Sequence, residues 1–136
     1  MIESISKRQV IRYVKKLPDK LYESTKVFLG FLKEHSKHHF NLYNLIRCGE
    51  GGQSFVLIGD VPGINVVIKA PINIEDIEMA MDETQFIDIL YDKSDNKSFV
   101  VQPREELIIC NEESKEIVFY CAFFERLSSE MHEIFP

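Results

Sequence analysis

Gly49-Glu50-Gly51-Gly52-Gln53-Ser54-Phe55-Val56, followed a short way on by Ile64-Asn65-Val66-Val67-Ile68-Lys69-Ala70, is the part of the chain from which the fold is read. Glycines let a backbone turn tightly and approach a ligand without interference from a Cβ. A sharp turn of this kind can also aim N–H groups at phosphate oxygens. The flanking residues have strand character: residues 43–48 before the glycines, 54–59 after them, and 64–70, rich in β-branched side chains, as a third strand. Val61-Pro62-Gly63-Ile64 suits a type II turn, with proline second and glycine third. Pro71 ends the third strand. Without other support, a glycine-rich connection between strands is most simply a turn.

Downstream, Asn73 is placed to cap a helix over about 74–92, with Glu75, Asp76 and Glu78 favourably near its N-terminus. A polar loop at 93–97 leads to a short strand at 99–101. Residues 107–110 and 117–124 then read as a hairpin around 111–116, and a short helix is expected at about 127–134. Upstream, Leu21, Val27, Phe28, Phe31 and Leu32 mark a helix over about 20–36. Before Pro18-Asp19, the spacing of Val10, Ile11, Val14 and Leu17 predicts another helix, capped by Ser6. The expected fold is therefore α+β: a mainly antiparallel sheet of about five strands, one packed central helix and two N-terminal helices. It is read as a single domain over 1–136, with a helical extension at 1–42, a sheet-plus-helix core at 43–126 and the short C-terminal helix at 127–136.

The 136 residues are 45 % apolar and 28 % charged, enough apolar surface to offset the entropy of ordering the chain. No stretch approaches the roughly 18 apolar residues of a membrane span, and the first residues lack the apolar centre of a signal peptide. Cys48, Cys110 and Cys121 show no CxxC spacing, which suits a reduced, cytoplasmic setting. The net charge of −6 is divided unevenly. Residues 1–47 hold ten Lys/Arg against four Asp/Glu, and residues 48–136 hold six against eighteen. The basic start is expected to meet the chain's own acidic half, within one molecule or across a homodimer. An acidic chain is repelled by nucleic-acid phosphates, so nucleic acid is not the expected partner.

Val66-Val67-Ile68-Lys69 lies a short distance beyond the glycine loop, and together the two segments resemble the N-terminal lobe of the protein-kinase superfamily. That lobe carries a G-x-G-x-x-G-x-V loop and V-A-I-K on its third strand. Gly49, Gly51 and Val56 match the loop, with Gly52 beside them, and Ser54 stands at the third glycine. Val67 replaces the alanine, which would crowd an adenine ring, and Lys69 matches the lysine. The resemblance implies that Lys69 pairs with nucleotide phosphates and with a glutamate of the following helix. Glu83 is the candidate, and Glu78 the second choice. It also implies ATP, with magnesium, as the ligand class. It covers about residues 43–126, and residues 1–42 have no counterpart. No H-R-D and no D-F-G occurs in the chain, and about ten residues remain after Glu125, so neither a second lobe nor phosphoryl transfer is expected of it.

Other groups have simpler explanations. His35, His38 and His39 could place imidazoles on one helix face as metal ligands, but histidines near a helix end already interact well with its dipole. Cys48, beside Arg47, has no positioned base. Glu105, Glu106, Glu112, Glu113 and Glu116 read as a solvated edge, or as a surface for a basic partner. Phe119, Tyr120, Phe123 and Phe124 read as core. Two functions lead, with a genuine kinase lobe cut from a longer chain or completed by another subunit as a third: a non-catalytic regulatory protein with a kinase N-lobe-like core, working through protein–protein contact with residual nucleotide affinity, or a small acidic α+β interaction protein unrelated to kinases, such as an inhibitor, an antitoxin or immunity protein, or a secretion chaperone. Both have another protein as partner, and neither needs a bound cofactor.

Overall fold

The computed structural model describes residues 11–35, 45–47, 54–61, 64–93 and 102–126. Its elements are β1 (Arg12–Val14), α1 (Thr25–His35), β2 (Leu45–Arg47), β3 (Ser54–Val61), β4 (Ile64–Pro71), a 3-10 turn (Ile74–Asp76), α2 (Ile77–Lys93), β5 (Gln102–Asn111) and β6 (Ile117–Arg126). The strands form one six-stranded sheet in the order β1-β5-β6-β4-β3-β2. All neighbours are antiparallel except β1 and β5, which run parallel. The α+β class and the mainly antiparallel sheet are as expected.

Sheet alternation assigns the side chains to two cores. On one face Phe55 and Leu57, Val66 and Ile68, Leu107 and Ile109, and Phe119, Cys121 and Phe123 are buried with Phe28, Phe31 and Leu32 of α1. On the other face Ile108, Tyr120, Ala122 and Phe124 pack with Ile77, Ala80, Met81 and Ile87 of α2. Period-two alternation makes each strand serve both layers. The aromatic centre lies under α1, where the Phe28 ring is 4.6 Å from that of Phe55 and 5.9 Å from that of Phe119. Burial of such a side chain contributes about 1.5–3 kcal/mol from solvent removal alone.

Two expectations about the N-terminal part are corrected. In place of a helix ending at Leu17, residues 12–14 form an edge strand, with Arg12 opposite Ile109 and Tyr13 opposite Cys110. The helical spacing of Val14 and Leu17 is real, yet both reach the α1-side core from an extended segment. Pairing with β5 satisfies backbone groups that this strand would otherwise leave open, and β-branched and aromatic residues favour that outcome. Of the two N-terminal helices expected, the described residues contain one. It starts at Thr25, later than predicted, because residues 20–23 form a turn closed by Glu23 N–H donating to the Lys20 carbonyl. Lys20 has φ of 56°, outside helical space. Ser24 then caps the helix, its Oγ accepting from Val27 N–H at 3.3 Å.

The second half follows the sequence more closely. Asn73 precedes a 3-10 turn but makes no capping bond to a backbone N–H. Its Nδ2 instead donates to Asp76 Oδ2 at 3.5 Å. The hairpin at 111–116 is held by Asn111, whose Oδ1 accepts from the N–H groups of Glu113 and Ser114, both at 2.9 Å. Lys115 takes the left-handed conformation that closes it. Predicted residues 107–110 belong to a longer strand from Gln102 to Asn111. The expected strand at 99–101 and helix at 127–134 lie outside the described residues.

If the α1-side aromatic centre carries the fold, Phe28→Ala should cost about 3–5 kcal/mol. Phe86→Ala, which truncates an exposed ring on α2, should stay within about 0.5 kcal/mol. Urea denaturation of the two variants followed by circular dichroism checks the contrast.

Candidate functional site

Helix α2 crosses one face of the sheet and leaves a small cleft between them. From the sheet it is lined by Ser54, Lys69, Tyr120 and Phe124, and from the helix by Ala80, Glu83, Thr84 and Ile87. Local sequence explains its form. Ser54 opens β3 opposite Pro71, and Lys69 lies on β4 between Val56 of β3 and Ala122 of β6. Ala80 and Ala122 are the small residues of the helix and sheet walls.

Ser54, Lys69 and Glu83, named from the sequence, thus line one cleft. Val56 stands beside Lys69 on the neighbouring strand. Glu78 is exposed and does not line the cleft. Gly49, Gly51, Gly52 and Cys48 lie outside the described residues. Lys69 is exposed, so water solvates its ammonium and a counter-charge is not obligatory. Between apolar strand neighbours Lys69 reads from the sequence as a buried lysine in need of a counter-charge, and its exposure corrects that reading. Among the described residues it makes no ion pair with Glu83.

The space in the cleft is about 50 Å³. A water occupies roughly 30 Å³ in the liquid, and pockets for drug-sized ligands hold roughly 300–1,000 Å³. The cleft admits one small polar group, such as the end of a phosphate. A base and ribose would lie outside it.

Two lining residues, Thr84 and Tyr120, also make polar contacts beneath α2 that the sequence did not announce. The Tyr120 hydroxyl donates to Glu106 Oε2, and Gln85 Nε2 donates to Glu106 Oε1 at 3.3 Å. Thr84, one residue before Gln85 on α2, donates from Oγ1 to the Ala80 carbonyl at 3.0 Å. Glu106 is fully buried and Glu105 nearly so, which overturns their assignment to a solvated acidic edge. Glu112, Glu113 and Glu116 at the hairpin are exposed, as expected. Glu106 is interior because α2 covers its face of β5, with Gln85 from the helix and Tyr120 from β6 meeting on its carboxylate, while Glu105 lies opposite Phe123 of β6. The detectable signal was alternation, since Glu106 shares its face with Ile108.

Burial, reinforced by the neighbouring Glu106, pushes the Tyr120 phenol far above its ordinary range. Burial does the same to Tyr22, with a smaller contribution from Cys121. The Cys121 thiol is also raised, chiefly by burial, and both Cys110 and Cys121 act as small core hydrophobes. His35 lies against Phe31, with ring centroids 4.6 Å apart. His38 and His39 lie outside the described residues, among which no group of side chains could hold a metal ion.

No protein-family model and no curated protein matches the chain. Among the described residues, no helix is long and apolar enough to cross a membrane.

Two predictions follow from the network and its tyrosines. Glu106→Ala leaves the Tyr120 hydroxyl and the Gln85 amide without their acceptor and should cost about 3 kcal/mol, against about 1 kcal/mol for Tyr120→Phe. Urea denaturation measures both. For pH, a phenol whose folded pKa is raised supports folding fully below the unfolded value of about 10 and loses that support as pH rises further. Stability should therefore fall above about pH 10. Ultraviolet titration should show Tyr22 and Tyr120 ionising together with the loss of the far-ultraviolet circular dichroism signal.

Proposed function

We propose that this chain is a non-catalytic, protein-binding regulatory module built on a kinase N-lobe-like core, with residual affinity for the phosphates of a nucleotide. The observation that carries the reading is the convergence of Ser54, Lys69 and Glu83 on one cleft. The three come from segments far apart in sequence and stand at the positions that the kinase-lobe resemblance implies. The order of elements adds support: two strands flanking the glycine loop, the lysine strand, the helix bearing Glu83, then two further strands.

The chemistry favours binding over turnover. Lys69 supplies a cation for a phosphate oxygen and Ser54 a hydroxyl, while the neighbouring Glu83 competes with the anion for that cation. The chain contributes neither an H-R-D base nor a D-F-G metal ligand. A cleft of this size grips only the end of a nucleotide, and most of the ligand remains in water. Weak binding is the consequence.

Calorimetric titration with ATP and ADP, with and without magnesium, should show binding in the high-micromolar to millimolar range and no phosphoryl transfer. Lys69→Ala should abolish that binding without lowering the melting temperature, because the side chain is exposed. Absence of binding at millimolar nucleotide in the folded protein would sink the nucleotide part of the reading. It would leave an acidic interaction protein whose glycine loop is only a turn.

A further inference from the structure

Helix α2 is amphipathic on both sides. Its inner side packs on the sheet through Ile77, Ala80, Met81 and Ile87. Its outer side carries Met79, Phe86 and Leu90, which are 68 %, 59 % and 46 % exposed, with Ile89 beside them. Exposed apolar residues gathered on one helix face in this way mark a contact surface more often than scattered ones do.

The spacing of that surface is specific. Met79, Glu83, Phe86 and Leu90 follow one another at intervals of four, three and four, the repeat of a two-helix seam. Three positions are apolar, and the one inside the run is Glu83. Exposed Asp82 and Glu78 add negative charge alongside. Glu83 makes no ion pair with any described residue.

This pattern argues against a second copy as the occupant. Two parallel α2 helices would set Glu83 against Glu83. Two antiparallel helices in matched register would set Met79 against Leu90 and Glu83 against Phe86. In either arrangement the facing helix brings no cation opposite Glu83 while desolvating its carboxylate, which is costly. A single charged residue in an otherwise apolar seam selects a partner of opposite charge at that level.

We propose that the outer seam of α2 docks an amphipathic helix of a partner protein, apolar along its own seam and carrying a lysine or arginine opposite Glu83. The proposal rests on the protein-binding part of the function given above, and it adds the surface and the chemistry of the partner. The docked cation would meet Glu83 at the rim of the cleft that also holds Lys69.

The test uses two labelled synthetic amphipathic helices with leucine at the seam positions, identical except for lysine or glutamate at the central one. Fluorescence anisotropy with the full chain should show the lysine peptide binding at least about 10-fold more tightly than the glutamate peptide. Phe86→Ser and Leu90→Ser leave every charge in place and should each weaken binding at least about 10-fold. Glu83→Lys should reverse the preference between the peptides. Circular dichroism confirms that each variant is folded, as expected for exposed positions. Equal binding of the two peptides, or binding unaffected by Phe86→Ser, would overturn the proposal. So would a dimer in sedimentation velocity that Phe86→Ser dissolves, which would make the occupant a second copy. If the peptides fail while Lys69-dependent nucleotide binding is observed, the docking proposal alone falls.

Discussion

Strand β6 has to bury both of its faces, and the rest of the structure is arranged around that requirement. Phe119, Cys121 and Phe123 point into the core beneath α1, while Tyr120, Ala122 and Phe124 point toward α2. A strand this apolar on both sides cannot sit at an edge or face water. It therefore lies inside the sheet between β5 and β4, with a helix on each face. Removing either cover would expose aromatic surface, so the two helices are equally necessary though they differ in character.

That difference bears on function. The α1 side is closed by tightly packed rings. The α2 side packs through smaller residues and anchors its helix by hydrogen bonds, Gln85 and Tyr120 meeting on Glu106. A buried carboxyl group with partners from helix and sheet sets the position of α2 more sharply than apolar contact could, since a displaced helix would leave the group unsatisfied. This anchoring brings Glu83 to the cleft rim and turns Met79, Phe86 and Leu90 outward. The cleft and the outer seam are consequently two surfaces of one anchored helix, with Glu83 common to both.

The candidate site was legible where a single residue type in a strong local pattern carries the chemistry. Lys69 stands out because it ends an apolar β-branched strand, and Ser54 and Glu83 follow from it through the kinase-lobe resemblance. The polar network beneath α2 was hidden. Glu105 and Glu106 are adjacent acids near a loop, which locally looks like solvent-facing sequence, and only the packing of α2 and β6 around β5 shows that they are buried. Ala80 and Ala122 are likewise unremarkable residues until helix and sheet are brought together.

By itself the sequence determined the α+β class, the β3–β4 and β5–β6 hairpins, the helix after Pro71 and the aromatic core, because each depends on periodicity or turn chemistry within a few neighbouring residues. Tertiary structure alone decided that residues 12–14 are a strand, that Glu106 is interior and that Ala80 and Ala122 wall the cleft. The physical reason is the same in all three cases. A backbone edge to be paired, a carboxyl group to be satisfied and a cleft to be walled are requirements set by distant segments, and local propensity, at a few tenths of a kcal/mol per residue, is too weak to override them.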